Sequence, residues 1–182
     1  MATVAIRPTS TTSQTGWVAD PITTNDAAAT GVAQNNVTCN WTAVLDDLDS
    51  SLSGATINSF TISANGKAGR AGATTCALML VHSSDGAFAS ENESWGGTQT
   101  TQTTSARTTQ QDGSSALTYA YINNCSVKID PNTQGITLYE LFVTVDYTAA
   151  SGYGNDVNGV AAASIGKING IATASIEKVN GI

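Results

Sequence analysis

A chain of 182 residues with a net charge of −7, 12% charged residues and 17 glycines holds one domain of ordinary size and a tail. Its seven basic residues, Arg7, Lys67, Arg70, Arg107, Lys128, Lys167 and Lys178, are scattered, which argues against a phosphate-binding face and nucleic acid as a partner. No apolar run approaches a membrane span, so no membrane partner is expected; the start, MATVAIRPTS, lacks a signal peptide's charged region and apolar core, so synthesis in the cytoplasm is expected.

In chain order, residues 3–7 (TVAIR) read as a strand ending at Pro8. The polar stretch TSTTSQTG that follows reads as a loop crossing a sheet edge, with Trp17 capping the core. Residues 18–34 are small and polar without periodicity. VTCNWTAVLDDLD (37–49) reads as an apolar strand and an acidic loop. INSFTIS (57–63) alternates: Ile57, Ser59, Thr61 and Ser63 on one face, Asn58, Phe60 and Ile62 mostly on the other. GKAGRAGA (66–73) reads as a Gly-rich turn. TTCALMLVHSS (74–84) is nearly unbroken in its apolar run, which predicts a central strand covered on both faces. Residues 83–115 form a long polar segment. LTYAYINNCSVKI (117–129) predicts one or two strands broken near Asn123-Asn124. After a turn at 130–135, ITLYELFVTVDYT (136–148) alternates in parts and is the most β-prone stretch of the chain.

Several strands separated by turn signals, with no convincing amphipathic helix, predict an all-β head, an antiparallel β-sandwich of jelly-roll type. The head spans 1–148, a Gly-rich linker 149–156, and a tail 157–182. That tail repeats itself: VNGVAAASIGK, INGIATASIEK, then VNGI, an eleven-residue unit that stops as its third copy begins. A short fixed period marks a unit that buries its apolar face by stacking on neighbours. The spacing of Val157, Val160, Ile165, Ile168, Ile171, Ile176, Val179 and Ile182 is compatible with a helix of eleven-residue period. Glycine in each unit and the abundance of Ile, Val, Ser and Thr favour strands instead. Asn-Gly between β-branched residues is a hairpin signal. A turn at Asn169-Gly170 pairs Ile168 with Ile171 and Ile165 with Ala174. The eight Val and Ile positions are therefore the expected assembly residues, with copies of the same chain as partner in a homotrimer or larger assembly. The unpaired strand left where the chain stops points the same way.

Chemistry is sparse. Cys39, Cys76 and Cys125 sit in apolar, strand-like surroundings, either as buried thiols or as one disulfide plus a free thiol. His82 with Ser83, Ser84 and Asp85 groups hydrolase residue types, but neighbours on a strand point to opposite faces, so a strand-end histidine in solvent is the simpler reading. Glu91 and Glu93 share a face if extended, yet without a surrounding aromatic platform they do not make a glycosidase. No catalytic residue and no organic cofactor is expected. Asp46, Asp47 and Asp49 are candidate calcium ligands, weighed against a solvated acidic turn. Trp95, beside Gly96-Gly97, is a candidate exposed stacking platform for glycan, with Tyr119, Tyr121 and Tyr139 as possible additions or ordinary sheet residues.

Four stretches carry a resemblance: Ile6-Arg7-Pro8-Thr9, Gly16-Trp17, Leu45-Asp46-Asp47-Leu48-Asp49 and Val143-Thr144-Val145-Asp146-Tyr147. With the K-[IV]-N-G-[IV] units at Lys167 to Ile171 and Lys178 to Ile182, the chain resembles β-sandwich virion proteins of tailed bacteriophages and prophages, found in tail fibres, appendages and head decorations. The resemblance implies a non-enzymatic structural protein of the virion, with other virion proteins as neighbours. The alternative function is a carbohydrate-binding adhesion module that recognises a cell-surface glycan.

Overall fold

In the computed structural model, residues 1–17, 31–32, 39–69, 72–131, 135–149, 167–168 and 171–172 are described. In chain order they form β1 (Ala2–Ile6), β2 (Pro8–Thr15), β3 (Gly31–Val32), β4 (Asn40–Leu45), a 3-10 turn (Ser50–Leu52) and β5 (Thr56–Ala68). Then come β6 (Thr74–His82), β7 (Gly86–Ala87), β8 (Glu91–Trp95), β9 (Thr100–Thr103), helix α1 (Tyr119–Asn123), β10 (Cys125–Pro131) and β11 (Ile136–Thr148). In the tail lie β12 (Lys167–Ile168) and β13 (Ile171–Ala172).

The head is an antiparallel β-sandwich. One sheet runs β1-β11-β5-β9, with β3 also on β11; the other runs β2-β4-β10-β6-β7, with β8 on β6. Side chains from both sheets merge into a single apolar core, including Trp41, Phe60, Leu78, Leu80, Leu141 and Val143. The alternation that predicts these strands is interrupted where the ladder slips. Leu138 faces Gly66 but Glu140 faces Asn65, so Tyr139 is an extra residue and the inward positions step from Leu138 to Leu141. A second bulge lets Ile57 pair with Tyr147 while Ser59 pairs with Asp146. It carries Ile57 into the core with Phe60 and Ile62, not to the face of Ser59 and Thr61.

Other expectations are corrected by pairing. The polar stretch after Pro8 is no loop: β2 is an edge strand on β4, and its Ser and Thr side chains are mostly exposed. Residues 66–68 of the Gly-rich stretch continue β5. The polar segment 83–115 contains β7, β8 and β9, and it crosses from one sheet to the other. Strand β6 is interior to its sheet, but Ala77 and Val81 stay half-exposed, so the second face is only partly covered. Residues 119–123 are helical because Thr118 caps them, its hydroxyl accepting from the Tyr121 amide at 3.1 Å, and the Asn124 side chain closes the other end on Ala120 O. All three cysteines are buried and none is in a disulfide. Burial, then the neighbouring Cys39, pushes the Cys76 thiol up to about 12; burial, then Asp85, does the same for Cys125.

Gly66 sits where the two sheets' contents meet. A Cβ there would lie 2.9 Å from Leu138 Cδ2 and 2.9 Å from the Thr137 carbonyl oxygen, whereas one on Gly97 would meet nothing within 4 Å. Gly66→Ala is expected to cost about 1–3 kcal/mol of stability through overpacking, and Gly97→Ala to change it by less than about 0.5 kcal/mol. Urea denaturation of the two variants side by side checks this; equal effects would contradict the packing described.

Candidate functional site

Strand β8 shows how period-two geometry disposes of the sugar platform. Its pairing with β6 sets Trp95 opposite Thr74, Glu93 opposite Cys76 and Glu91 opposite Leu78, all three on the side facing the core. Trp95 is therefore fully buried, and its indole donates to the Thr100 carbonyl at 3.1 Å. This corrects the expectation of an exposed ring. Tyr119 is partly buried and donates to the Leu48 carbonyl at 3.0 Å. Tyr121 is buried, accepts from the Gln111 amide at 3.3 Å, and its ring stacks on His82 at 4.0 Å between centroids. These rings fill and orient the sandwich and form no common surface for a ligand.

His82, Ser84 and Asp85 do come together, but in a turn. The Ser84 hydroxyl donates to Asp85 Oδ1 at 2.7 Å and lies 3.2 Å from His82 Nδ1; Asp85 Oδ2 is 3.4 Å from the same nitrogen. A nucleophile–base–carboxylate relay needs serine and carboxylate on opposite ring nitrogens. Both occupy one side here, so the cluster ties down the β6–β7 hairpin. Nor is His82 a solvated strand end: its side chain is 11% exposed and lies flat on Tyr121.

Glu91 and Glu93 do share a face, as extended spacing requires. Glu91 pairs with Arg107 at 2.9 Å and accepts from the Ser105 amide at 2.7 Å. Arg107, in a segment read only as polar, is the residue that sequence reasoning missed; its isolated bridge to Phe60 stitches the segment to β5. Glu91 and Arg107 also line a cleft with Phe60, Leu78, Phe88 and Thr104, whose cavity volume is about 10 Å³, far below the roughly 300–1,000 Å³ of small-molecule sites. Glu93 has its pKa raised by burial first and by Glu91 second.

The acidic loop serves the backbone. Asp49 caps the 3-10 turn by accepting from the Ser51 amide at 2.8 Å; the Ser51 side chain first, and then this amide, lower its pKa, and Asp46 accepts from the Asp47 amide at 3.1 Å. Among the described residues no group of three or more His, Cys, Asp or Glu is placed to hold a metal ion.

In the tail, β12 and β13 pair antiparallel, Lys167 with Ala172 and Ile168 with Ile171, across Asn169-Gly170. That is the register expected of the hairpin. Of the other assembly positions, Val157, Val160, Ile165, Ile176, Val179 and Ile182 lie outside the described residues, as does the pairing of Ile165 with Ala174. The linker 149–156 is likewise outside them from residue 150 onward.

No family model and no curated protein matches the chain. A solved structure is similar to it in outline: the CBM36-1 domain of a multidomain xylanase from the hindgut metagenome of Trinervitermes trinervoides. The two are 10% identical with a TM-score of 0.45, over 80% of this chain and 97% of that domain. At that distance nothing about ligands follows for this chain.

Three of the four resembling stretches, residues 6–9, 45–49 and 143–147, distant in sequence, are neighbours in the fold. Ile6 pairs with Val143 and Pro8 with Leu45; the Asp46 amide donates to the Arg7 carbonyl at 2.7 Å, and Arg7 reaches Glu140 at 2.9 Å. They mark the corner where the chain passes from one sheet to the other.

A carboxyl whose pKa is raised in the fold holds its proton more tightly folded than unfolded. Its stabilising share is present at low pH and is lost as pH rises through and above the ordinary 4.5. Glu93→Gln is therefore expected to raise the unfolding temperature at pH 7, and the gain should shrink toward pH 4. Thermal melts across that range check it; a gain that grows on acidification would contradict the assignment.

Proposed function

We propose that the chain is a non-enzymatic structural protein of a bacteriophage particle, of the tail-fibre, appendage or decoration kind, and that its C-terminal repeats hold copies of it together. The observation that carries the assembly reading is the β12–β13 hairpin, a two-stranded sheet that, among the described residues, pairs with neither sheet of the sandwich. A lone two-stranded hairpin is marginal in water and needs a third strand or an apolar surface. The unit recurs every eleven residues in the sequence, as in repeat proteins whose units bury their apolar faces by stacking on neighbours. The placement on a virion, beside other virion proteins, is supported by the resemblance of the head stretches and of the K-[IV]-N-G-[IV] units. The non-catalytic reading is supported by the turn-bound arrangement of His82, Ser84 and Asp85.

Deleting residues 157–182 tests the assembly. The truncated head is expected to run as a monomer in light scattering, with its unfolding transition little changed, while the full chain runs as a trimer or larger species. A head that keeps the full oligomeric state would sink the proposal. The same head on a glycan array is expected to show no saturable binding; a saturable signal would favour the adhesion-module alternative.

A further inference from the structure

Strand edges differ in how well they are guarded. Edge strand β2 begins with Pro8 and slips register between Pro8 and Ser10 and again between Thr11 and Ser13. Such bulges discourage a further strand. At the other edge of that sheet β7 is two residues long, and β8 turns Glu91 and Glu93 inward, a second natural guard. Strand β9 is four residues long, and the Thr100 carbonyl is taken by Trp95. Strand β1 has none of these devices. ATVAI carries no charge and no proline, and its pairing with β11 runs without a slip from Ala2↔Tyr147 to Ile6↔Val143. Ala2, Thr3 and Ala5 are exposed, and among the described residues no strand pairs with the far side of β1.

Resting on the self-assembly reading, we infer that the open edge of β1 receives strand β13 of the repeat hairpin from a second copy of this chain, extending the β1-β11-β5-β9 sheet across the interface. Two features choose this occupant. The sequence running on from β13, IATASI (171–176), is uncharged and mixes small with β-branched residues, as ATVAI does, whereas β12 opens on Lys167. Charge also fits: residues 1–148 hold twelve carboxylates against five basic side chains, while residues 157–182 hold Lys167 and Lys178 against Glu177 alone. Head-to-tail contact is therefore attractive, and head-to-head contact is not. Backbone hydrogen bonds would supply the affinity, and the alternating side chains the register.

The test uses two full-length chains with distinct affinity tags, one Ala5→Cys and one Ala172→Cys, co-expressed and treated with a short bismaleimide. The native cysteines are buried, so the introduced thiols react first. The expected product is a cross-link between the two differently tagged chains, lost when Thr3→Lys accompanies Ala5→Cys. Cross-links only between Ala5→Cys chains would overturn the inference in favour of β1 pairing with itself. Cross-links only between Ala172→Cys chains, or none while light scattering still shows the full-length oligomer, would overturn it and leave repeat-driven assembly standing. No cross-link and a monomeric full-length chain would remove both.

Discussion

Thirteen residues of β11 pair with β5 along nearly their whole length and with β1 on the opposite edge, and Ile136, Leu138, Leu141, Val143 and Val145 are fully buried between the sheets. Burying each such side chain stabilises by about 1.5–3 kcal/mol, so this strand anchors the sandwich. The bulge at Tyr139 lets it do so over a length at which strict alternation along a twisted strand would lose the core. The partner bulge at Asn58 brings Ile57 in beneath Tyr147. Everything else in the head is arranged around that shared ladder.

Polar residues, unusually abundant here, are used to fasten backbone. Thr118 caps α1, Asp49 caps the 3-10 turn, and the Asn123 side chain accepts from the Leu48 amide at 2.9 Å. Trp41 is fully buried, yet its indole reaches the Thr11 hydroxyl at 2.9 Å. A buried polar atom without a partner is costly, and such contacts reduce that cost for Trp41. The same economy explains why residue types that suggest catalysis or metal binding turn out to be turn and cap chemistry.

The corner at Arg7 links the sheets by three different interactions. Its carbonyl accepts from Asp46, its guanidinium pairs with Glu140, and it lies over the Phe142 ring at 5.6 Å. A half-exposed ion pair contributes little by itself. What matters is that the corner fixes where β1 ends in one sheet and β2 begins in the other. It thereby leaves β1 at the outside of the first sheet.

Local pattern alone determined the all-β class, the strands at 74–82 and 136–148, the burial of Trp17, and the turn that pairs Ile168 with Ile171. Each rests on the apolarity or alternation of neighbouring residues or on Asn-Gly turn chemistry, properties of a short window. Only tertiary pairing decided the rest. Polar β2 and β8 become strands because β4 and β6 offer them ladders; Trp95 turns inward because β8 must match the pleat of β6. Residues 119–123 coil into a helix because a Thr cap outweighs the β-propensity of two tyrosines. Arg107 finds Glu91 sixteen residues away because β8 and β9 belong to different sheets of one sandwich. A strand's face and partner are set by hydrogen bonds to residues far along the chain, and no window of neighbouring residues contains them.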